Sequence, residues 1–398
     1  MNRILTRIII CVAAIGIVSC SRFERVDALD VVGDGARVAA VADLVGIVKS
    51  TGGESTSVQR DFPELSALSA LRGVDFKRVV AVSYTPSTSA VVMSIVSPRA
   101  VARTLPKISR DGVLVGQYAV RRLTDVTYMV VDSVCVWMVD SADGPEGAAA
   151  KVDRLLAESS RPLARWKREF LDGDNDIKAI CAFDDRYAKL KLKFEKSGAE
   201  FNALCVDSAD APTWWFPADV LGRLPLQSSY IDPRNAFAFA AGRMKIDSIL
   251  AMFPGSGRAP DDLAEFGPVN VAVSSPSTFR AIFDNPTAAD ATRLAEAARR
   301  RWGGLPGVAV ECGDTLVEVR SAAGYPGLDG TSYAGCNAVV SLNLPSDRLR
   351  DFFGVDSPGI TVMAVVRGAS VTARADFLDT DKPFLANLFS LIYNNGTN

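Results

Sequence analysis

SYTPSTSAVVMSIVSPRAVARTL, Ser83 to Leu105, decides the reading of the fold, because the chain repeats its grammar in SSPSTFRAIFDNPTAADATRLAE, Ser274 to Glu296. In both, a Ser- and Pro-rich turn leads into an apolar strand, then a Pro-containing turn and an alanine-rich helix. Two further pairs occur in the same order. ARVAAVADLVGIVKSTG from Ala36 and NAFAFAAGRMKIDSILAMFPG from Asn235 each read as strand, short helix and Gly. RPLARWKREFLDGDNDIKAICAF from Arg161 and LPSDRLRDFFGVDSPGITVMAVV from Leu344 each read as Pro, amphipathic helix, acidic turn and β-branched strand. The offsets are similar: 200 from Ala36 to Ala236, 191 from Ser83 to Ser274, 183 from Ile177 to Ile360. A duplicated unit of about 190 residues, one domain each, is the expectation for a chain of this length.

Around those stretches, strands are expected at Arg37–Ala42, Arg78–Tyr84, Ala90–Val96, Tyr118–Leu123, Val126–Val131, Val134–Val139, Ile177–Phe183 and Ala188–Phe194. Val126–Val139 reads as a hairpin turning near Asp132-Ser133. KLKLKFEK, Lys189–Lys196, alternates charge with Leu and Phe, which predicts an antiparallel strand with one wet face. Helices are expected at Ala148–Glu158, Leu163–Leu171, Ala288–Trp302, Asp347–Phe353 and Pro383–Tyr393, with Val152, Leu155 and Leu156 on one face of the first. The fold class is therefore α+β: two duplicated domains, each a mostly antiparallel sheet with helices packed on one face. Pro212, Pro217, Pro225 and Pro233 mark the seam, since Pro suits a connection better than a strand interior. The expected layout is a signal peptide at 1–19, a first domain at 20–211, a connection at 212–233 and a second domain at 234–398.

The leader is assigned by its own chemistry. Arg3 and Arg7 open it, and Ile8–Val18 is apolar but too short for the ~30 Å hydrocarbon core of a bilayer. Ser19 then precedes Cys20. A basic start, a short apolar stretch and a small residue describe a secretory signal. Ile17-Val18-Ser19-Cys20 looks like a bacterial lipobox, in which the cysteine thiol receives a diacylglyceryl group and becomes the new N-terminus. An ordinary signal peptide with a chance cysteine is the competing reading. Several acyl chains on Cys20, palmitate among them, give stable attachment where one chain would not. Ser21, by resemblance to enteric lipoproteins, favours the outer membrane. The mixed run Ser21-Arg22-Phe23-Glu24-Arg25 leaves both a periplasm-facing and an outward-facing leaflet open.

The pattern resembles the uncharacterised two-repeat lipoproteins of Bacteroidetes, a domain-of-unknown-function family. The matching stretch is Gly33-Asp34-Gly35-Ala36-Arg37-Val38-Ala39-Ala40-Val41-Ala42-Asp43-Leu44, with Pro233-Arg234-Asn235-Ala236-Phe237 in the second half. Glycine replaces the family's usual proline before the first strand. The resemblance implies a lipoprotein covering nearly the whole mature chain, and it carries over no functional residues.

Composition removes several function classes. Hydrophobic residues are 48% and charged residues 23% of the chain, an ordinary globular balance. The net charge of −2 falls to about −4 without Arg3 and Arg7, with no clustered basic face of the kind nucleic acid requires. Histidine is absent, which excludes Ser-His-Asp and Cys-His catalysis and His-ligated zinc. Of seven cysteines, Cys11 leaves with the signal and Cys20 takes lipid. Cys135, Cys181, Cys205, Cys312 and Cys336 remain, an odd number without CxxC spacing, so neither zinc nor a redox motif is supported. Buried thiols are the preferred reading for Cys135 and Cys181, and Cys312 with Cys336 is the favoured disulfide.

The tempting motifs fall short. Gly33-Asp34-Gly35 lacks the third glycine and following helix of a dinucleotide loop and reads as a tight turn. Asp172-Gly173-Asp174-Asn175-Asp176 opens like a calcium loop, but Ile177 and Phe183 stand where such a loop needs Gly and Glu. Gly330-Thr331-Ser332-Tyr333-Ala334 lacks the last glycine of a nucleophile elbow and any histidine partner. Trp214 and Trp215, followed by Phe216, are the candidate binding residues, since flat rings stack on sugars; packing the domains together is the preferred role. No catalytic, cofactor or metal residue is assigned. The expectation is a lipid-anchored envelope protein that binds a protein or polymer without catalysis. The alternative is a carboxylate-dependent hydrolase acting on glycans, which needs two carboxyls ~5 to ~9.5 Å apart in a cleft. An enclosed apolar pocket would instead indicate a small-ligand carrier.

Overall fold

A computed structural model describes residues 26–50, 71–108, 111–216, 238–242, 269–275, 278–284, 288–304, 306–321, 333, 335–353, 357–378, 380–382, 384 and 387–388. The chain divides into two compact units, Met1–Ala211 with Lys382–Phe389, and Pro212–Asp381 with Ser390–Asn398. The segment 382–389, which the sequence reading gave to the second domain, groups with the first. There the Phe384 N–H donates to Lys196 O at 2.8 Å and its ring sits 6.2 Å from that of Phe194. Most of the helix expected at Pro383–Tyr393 lies outside the described residues.

In the first unit the strands are β1 Val38–Ala42, β2 Val74–Thr85, β3 Thr88–Ile95, β4 Gly112–Val115, β5 Tyr118–Arg122, β6 Thr127–Val131, β7 Cys135–Asp140, β8 Ile177–Phe183, β9 Arg186–Phe194 and β10 Gly198–Asp207. The helices are α1 Leu44–Ser50, α2 Pro98–Ile108, α3 Gly144–Glu158 and α4 Arg165–Asp172. All pairings are antiparallel, in the order β4-β5-β6-β7-β3-β2-β1-β8-β9-β10. The first strand among the described residues is thus a central one, held between β2 and β8.

Local chemistry sets these elements. At the β6–β7 turn, Asp132 Oδ1 accepts the N–H groups of Val134 at 2.7 Å and Cys135 at 2.6 Å, a side-chain turn that closes the hairpin. Its other oxygen accepts the Trp137 indole N–H at 2.8 Å, so the fully buried ring keeps its polar atom satisfied. Val80, Val92, Trp137, Val130 and Val120 sit opposite one another across five strands, and α3 lays Ala148, Val152 and Leu155 over that core. Tyr118 ties α3 to β5 by donating to Asp153 Oδ1 at 2.6 Å.

One expectation fails here. Val79–Tyr84 in β2 and Ala90–Ile95 in β3 are buried without a break, so the middle of the sheet is covered on both faces rather than by helices on one. KLKLKFEK is wet as expected at Lys191, Lys193 and Lys196, which are exposed, while Phe194 is buried and Lys189 half-buried. Lys191 pairs with Lys178 and Lys189 with Ile180, which places both lysines beside the aromatic rings of α4. Lys189 Nζ stands 5.2 Å from the Trp166 and Phe170 ring centres and 2.7 Å from Asp210 Oδ1. The lysine stems cover rings while the ammonium groups find partners.

The second unit has β11 Ala238–Gly242, β12 Val269–Ser275, β13 Thr278–Asp284, β14 Val308–Cys312, β15 Leu316–Ser321, β16 Ala338–Leu344, β17 Ile360–Arg367 and β18 Ser370–Phe377. Its helices are α5 Ala288–Trp302 and α6 Ser346–Phe353. Among the described residues the order is β14-β15-β13-β12-β11-β16-β17-β18, again antiparallel throughout. Ala291, Leu294, Ala295 and Ala298 of α5 pack on Ala281, Phe283, Val317 and Val319. On the neighbouring positions Arg280 donates to both carboxylate oxygens of Glu318, at 2.8 and 3.0 Å. The protein is α+β and mostly antiparallel sheet.

The stretches from Ser83 and Ser274 occupy matching places, the β2–β3 hairpin with α2 and the β12–β13 hairpin with α5. Those from Arg161 and Leu344 do not: β8 borders β1, whereas β16 separates β17 from β11. The Cys312–Cys336 disulfide is also corrected, since both thiols are free, Cys312 exposed and Cys336 buried. Cys312 ends β14 and Cys336 precedes β16, with β15, β13, β12 and β11 ordered between them. Each strand adds about 4.8 Å, while a disulfide needs Cα atoms within about 7 Å. Cys135, Cys181 and Cys205 are free as well.

Candidate functional site

The first unit carries a cleft of about 560 Å³ where β1 ends, β2 begins and the α4–β8 turn passes beside them. Its walls are charged. Asp43 and Asp176 come from the paired ends of β1 and β8, joined by Asp43 N–H donating to Asp176 O at 2.8 Å. Each carboxyl uses one oxygen structurally. Asp43 Oδ1 accepts the Gly46 N–H at 2.8 Å, in the first turn of α1, and Asp176 Oδ2 accepts the Phe194 N–H at 2.5 Å. The other two oxygens converge on Gly46, where an added Cβ would stand 2.8 Å from Asp43 Oδ2 and 3.5 Å from Asp176 Oδ1. Burial raises the Asp176 pKa, opposed by the Phe194 N–H and reinforced by the Asp43 carboxyl.

Lys178, in β8, is 2% exposed. Its ammonium lines the cleft and donates to the Gly173 carbonyl oxygen, its one hydrogen-bond partner among the described residues. Burial lowers its pKa to about 8, with Arg78 and Lys191 pushing the same way and Asp172 and Asp174 opposing. An ammonium has three donors and the carbonyl takes one, which leaves two for the cleft that Lys178 lines.

Arg78 closes the adjoining wall. It is ion-paired with Asp172, and its Nε lies 2.8 Å from Asp27 Oδ1 without hydrogen-bond geometry. Arg168 continues the network with Asp30 at 2.6 Å, Asp27 at 3.5 Å and Asp172 at 3.7 Å. Asp75, Lys77, Asp174 and Lys193 complete the charged lining, and among the described residues no aromatic side chain belongs to it.

The Asp172–Asp176 run therefore does not act as a calcium loop: Asp172 turns to Arg78 while Asp176 turns to Phe194. Among the described residues no three His, Cys, Asp or Glu side chains converge as a metal site. Trp214 and Trp215 are half-buried in the segment that opens the second unit, and neither lines the cleft. Cys20 and the leader lie outside the described residues, as do Gly330–Ser332. Gly33 is a bridge residue paired with Pro162, followed by the tight turn expected at Asp34-Gly35. Asp34 Oδ1 meets Lys167 Nζ at 2.9 Å; burial opposes its ionisation, but Lys167, the Ala164 N–H and Arg161 together hold its pKa below the usual value. Among the described residues no helix is long and apolar enough to cross a membrane.

Sequence reasoning missed Lys178, Asp43 and Asp176 as neighbours. One signal was present: IKAICAF places a single lysine inside an otherwise apolar strand.

No protein-family model and no curated protein matches the chain. Among solved structures, it is similar to TP0453 in its crystal form I at 10% identity, covering 75% of this chain and 93% of that one. The TM-score is 0.27, a likeness too slight to bear on fold or function.

Proposed function

We propose that the protein is a lipid-anchored cell-envelope binding module, held through Cys20 at the outer membrane, whose first unit binds a charged ligand or polymer segment in the cleft. The basic start, short apolar stretch and Ser19-Cys20 pair support the anchor. The resemblance to the two-repeat lipoproteins points the same way. One observation carries the binding reading: the buried Lys178, with one hydrogen-bond partner among the described residues, lines a 560 Å³ cleft. Its charged walls argue against an apolar-ligand carrier.

A duplicated origin for the two units belongs to the same proposal. Its support is that each sheet places its first strand centrally, with the next two strands on one side and the closing hairpin on the other.

Affinity capture with the full chain from detergent-solubilised envelopes tests the reading. A stoichiometric component retained by wild type and lost with Lys178→Met and Asp176→Asn supports binding at the cleft. Capture that ignores both substitutions removes the cleft from the function. Mass spectrometry of Cys20, with membrane retention of Cys20→Ala, tests the anchor separately.

The hydrolase alternative keeps one observation, the convergence of Asp43 and Asp176 with the raised pKa of the latter. An acid and a carboxylate in one cleft are what glycoside cleavage requires. The absence of an aromatic platform from the lining favours binding. Turnover of a glycan panel that is abolished by Asp43→Asn or Asp176→Asn would reverse that preference.

A further inference from the structure

The cleft offers two complementary half-sites. At one, Asp43 and Asp176 both line the cleft, and Asp43 Oδ2 and Asp176 Oδ1 have no hydrogen-bond partner among the described residues. At the other, Lys178 has an ammonium that is buried, aimed into the cleft and satisfied by one carbonyl. Asp176 immediately precedes β8 and Lys178 is the second residue of that strand. Carboxylates that line one cleft accept hydrogen bonds from an ammonium group, and a desolvated ammonium donates to a carboxylate in a charge-assisted hydrogen bond.

We propose that the cleft binds a small zwitterion, an α-amino acid or the free termini of a short peptide, with its ammonium on Asp43 and Asp176 and its carboxylate on Lys178. This rests on the cleft being a binding site. A zwitterion satisfies both half-sites without changing the net charge of the cleft, which a lone anion or cation cannot do. Arg78, ion-paired with Asp172 and close to Asp27, lines the same cleft and adds positive charge on the side of Lys178.

Titration calorimetry on the full chain is the test, with alanine and alanyl-alanine as probes and methylammonium, acetate and inorganic phosphate as half-ligands. Alanine or its dipeptide is expected to bind wild type at least tenfold more tightly than any half-ligand. Asp176→Asn, which keeps an acceptor for the Phe194 N–H, and Lys178→Met, which removes a buried charge, are each expected to weaken that binding at least tenfold. Circular dichroism confirms their folding, and Arg165→Ala, on an exposed residue, serves as the unchanged control. Acetate or phosphate binding as tightly as the zwitterions overturns the proposal, as does zwitterion binding indifferent to Lys178→Met. Wild type that binds none of the probes also overturns it. If envelope capture still depends on the cleft, the binding reading survives; if capture ignores the cleft, both fall.

Discussion

Tyr84 and Gly33 meet through a 2.6 Å hydrogen bond, the Gly33 N–H donating to the Tyr84 hydroxyl oxygen. The contact holds the segment before β1 against the end of β2. A side chain at residue 33 has no room, since a Cβ would stand 2.3 Å from Glu158 O and 2.9 Å from Ser159 Cα. Gly33→Ala is expected to destabilise the first unit by about 2 kcal/mol or more, as overpacking against backbone does. Tyr84→Phe, which leaves a buried N–H unpaired, should cost about 1–3 kcal/mol. Urea denaturation of each variant checks both.

Asp132 serves three donors, two in its own turn and the indole of Trp137. Asp132→Ala should cost about 2–3 kcal/mol, because it strands a buried indole N–H as well as opening the turn. Asp132→Asn retains an accepting oxygen and should cost less. Thermal melts of the pair, with Trp fluorescence as the probe, separate the two outcomes.

Lys178 makes stability depend on pH. Its folded pKa of about 8 lies below the ordinary 10.5. Between those values the unfolded chain binds more protons, so stability rises with pH from about 8 to 10.5. Lys178→Met removes that slope and raises stability at pH 7, by roughly 3 kcal/mol at most. Denaturant titrations at pH 7, 8.5 and 10 read the effect. A wild-type curve that is flat over that range would contradict the assigned burial cost.

Arg280 and Glu318 form a two-bond pair in the second unit, with Arg280 side chain 9% and Glu318 side chain 20% exposed. Glu318→Ala is expected to cost about 3 kcal/mol, because it leaves a buried guanidinium short of its acceptor. The double variant Arg280→Met/Glu318→Leu should recover most of that loss. A double-mutant cycle measures the difference.

Much of the fold was legible because periodicity reports strands and helices directly. The bounds of β8 and α5 match the sequence expectation, and the Asp132-Ser133 turn lies where the polar break placed it. What alternation cannot report is which face gets covered. KLKLKFEK reads as half wet and is so at Lys191 and Lys193, yet the rings of Trp166 and Phe170 cover Lys189 on the same strand. The cleft was illegible for a different reason. Asp43, Asp75 and Lys178 are far apart in sequence and meet only because β1 is central, a fact of pairing that no local pattern encodes.

That central position has a consequence for biogenesis. Ala42 has Val79 beside it early, but its other neighbour is Ile177, which emerges from the ribosome or a translocation channel much later. The first unit cannot complete its sheet until nearly all of it has been delivered, and such long-range closure folds slowly. A chain delivered head-first thus stays pliable until its later strands arrive and sets only afterwards.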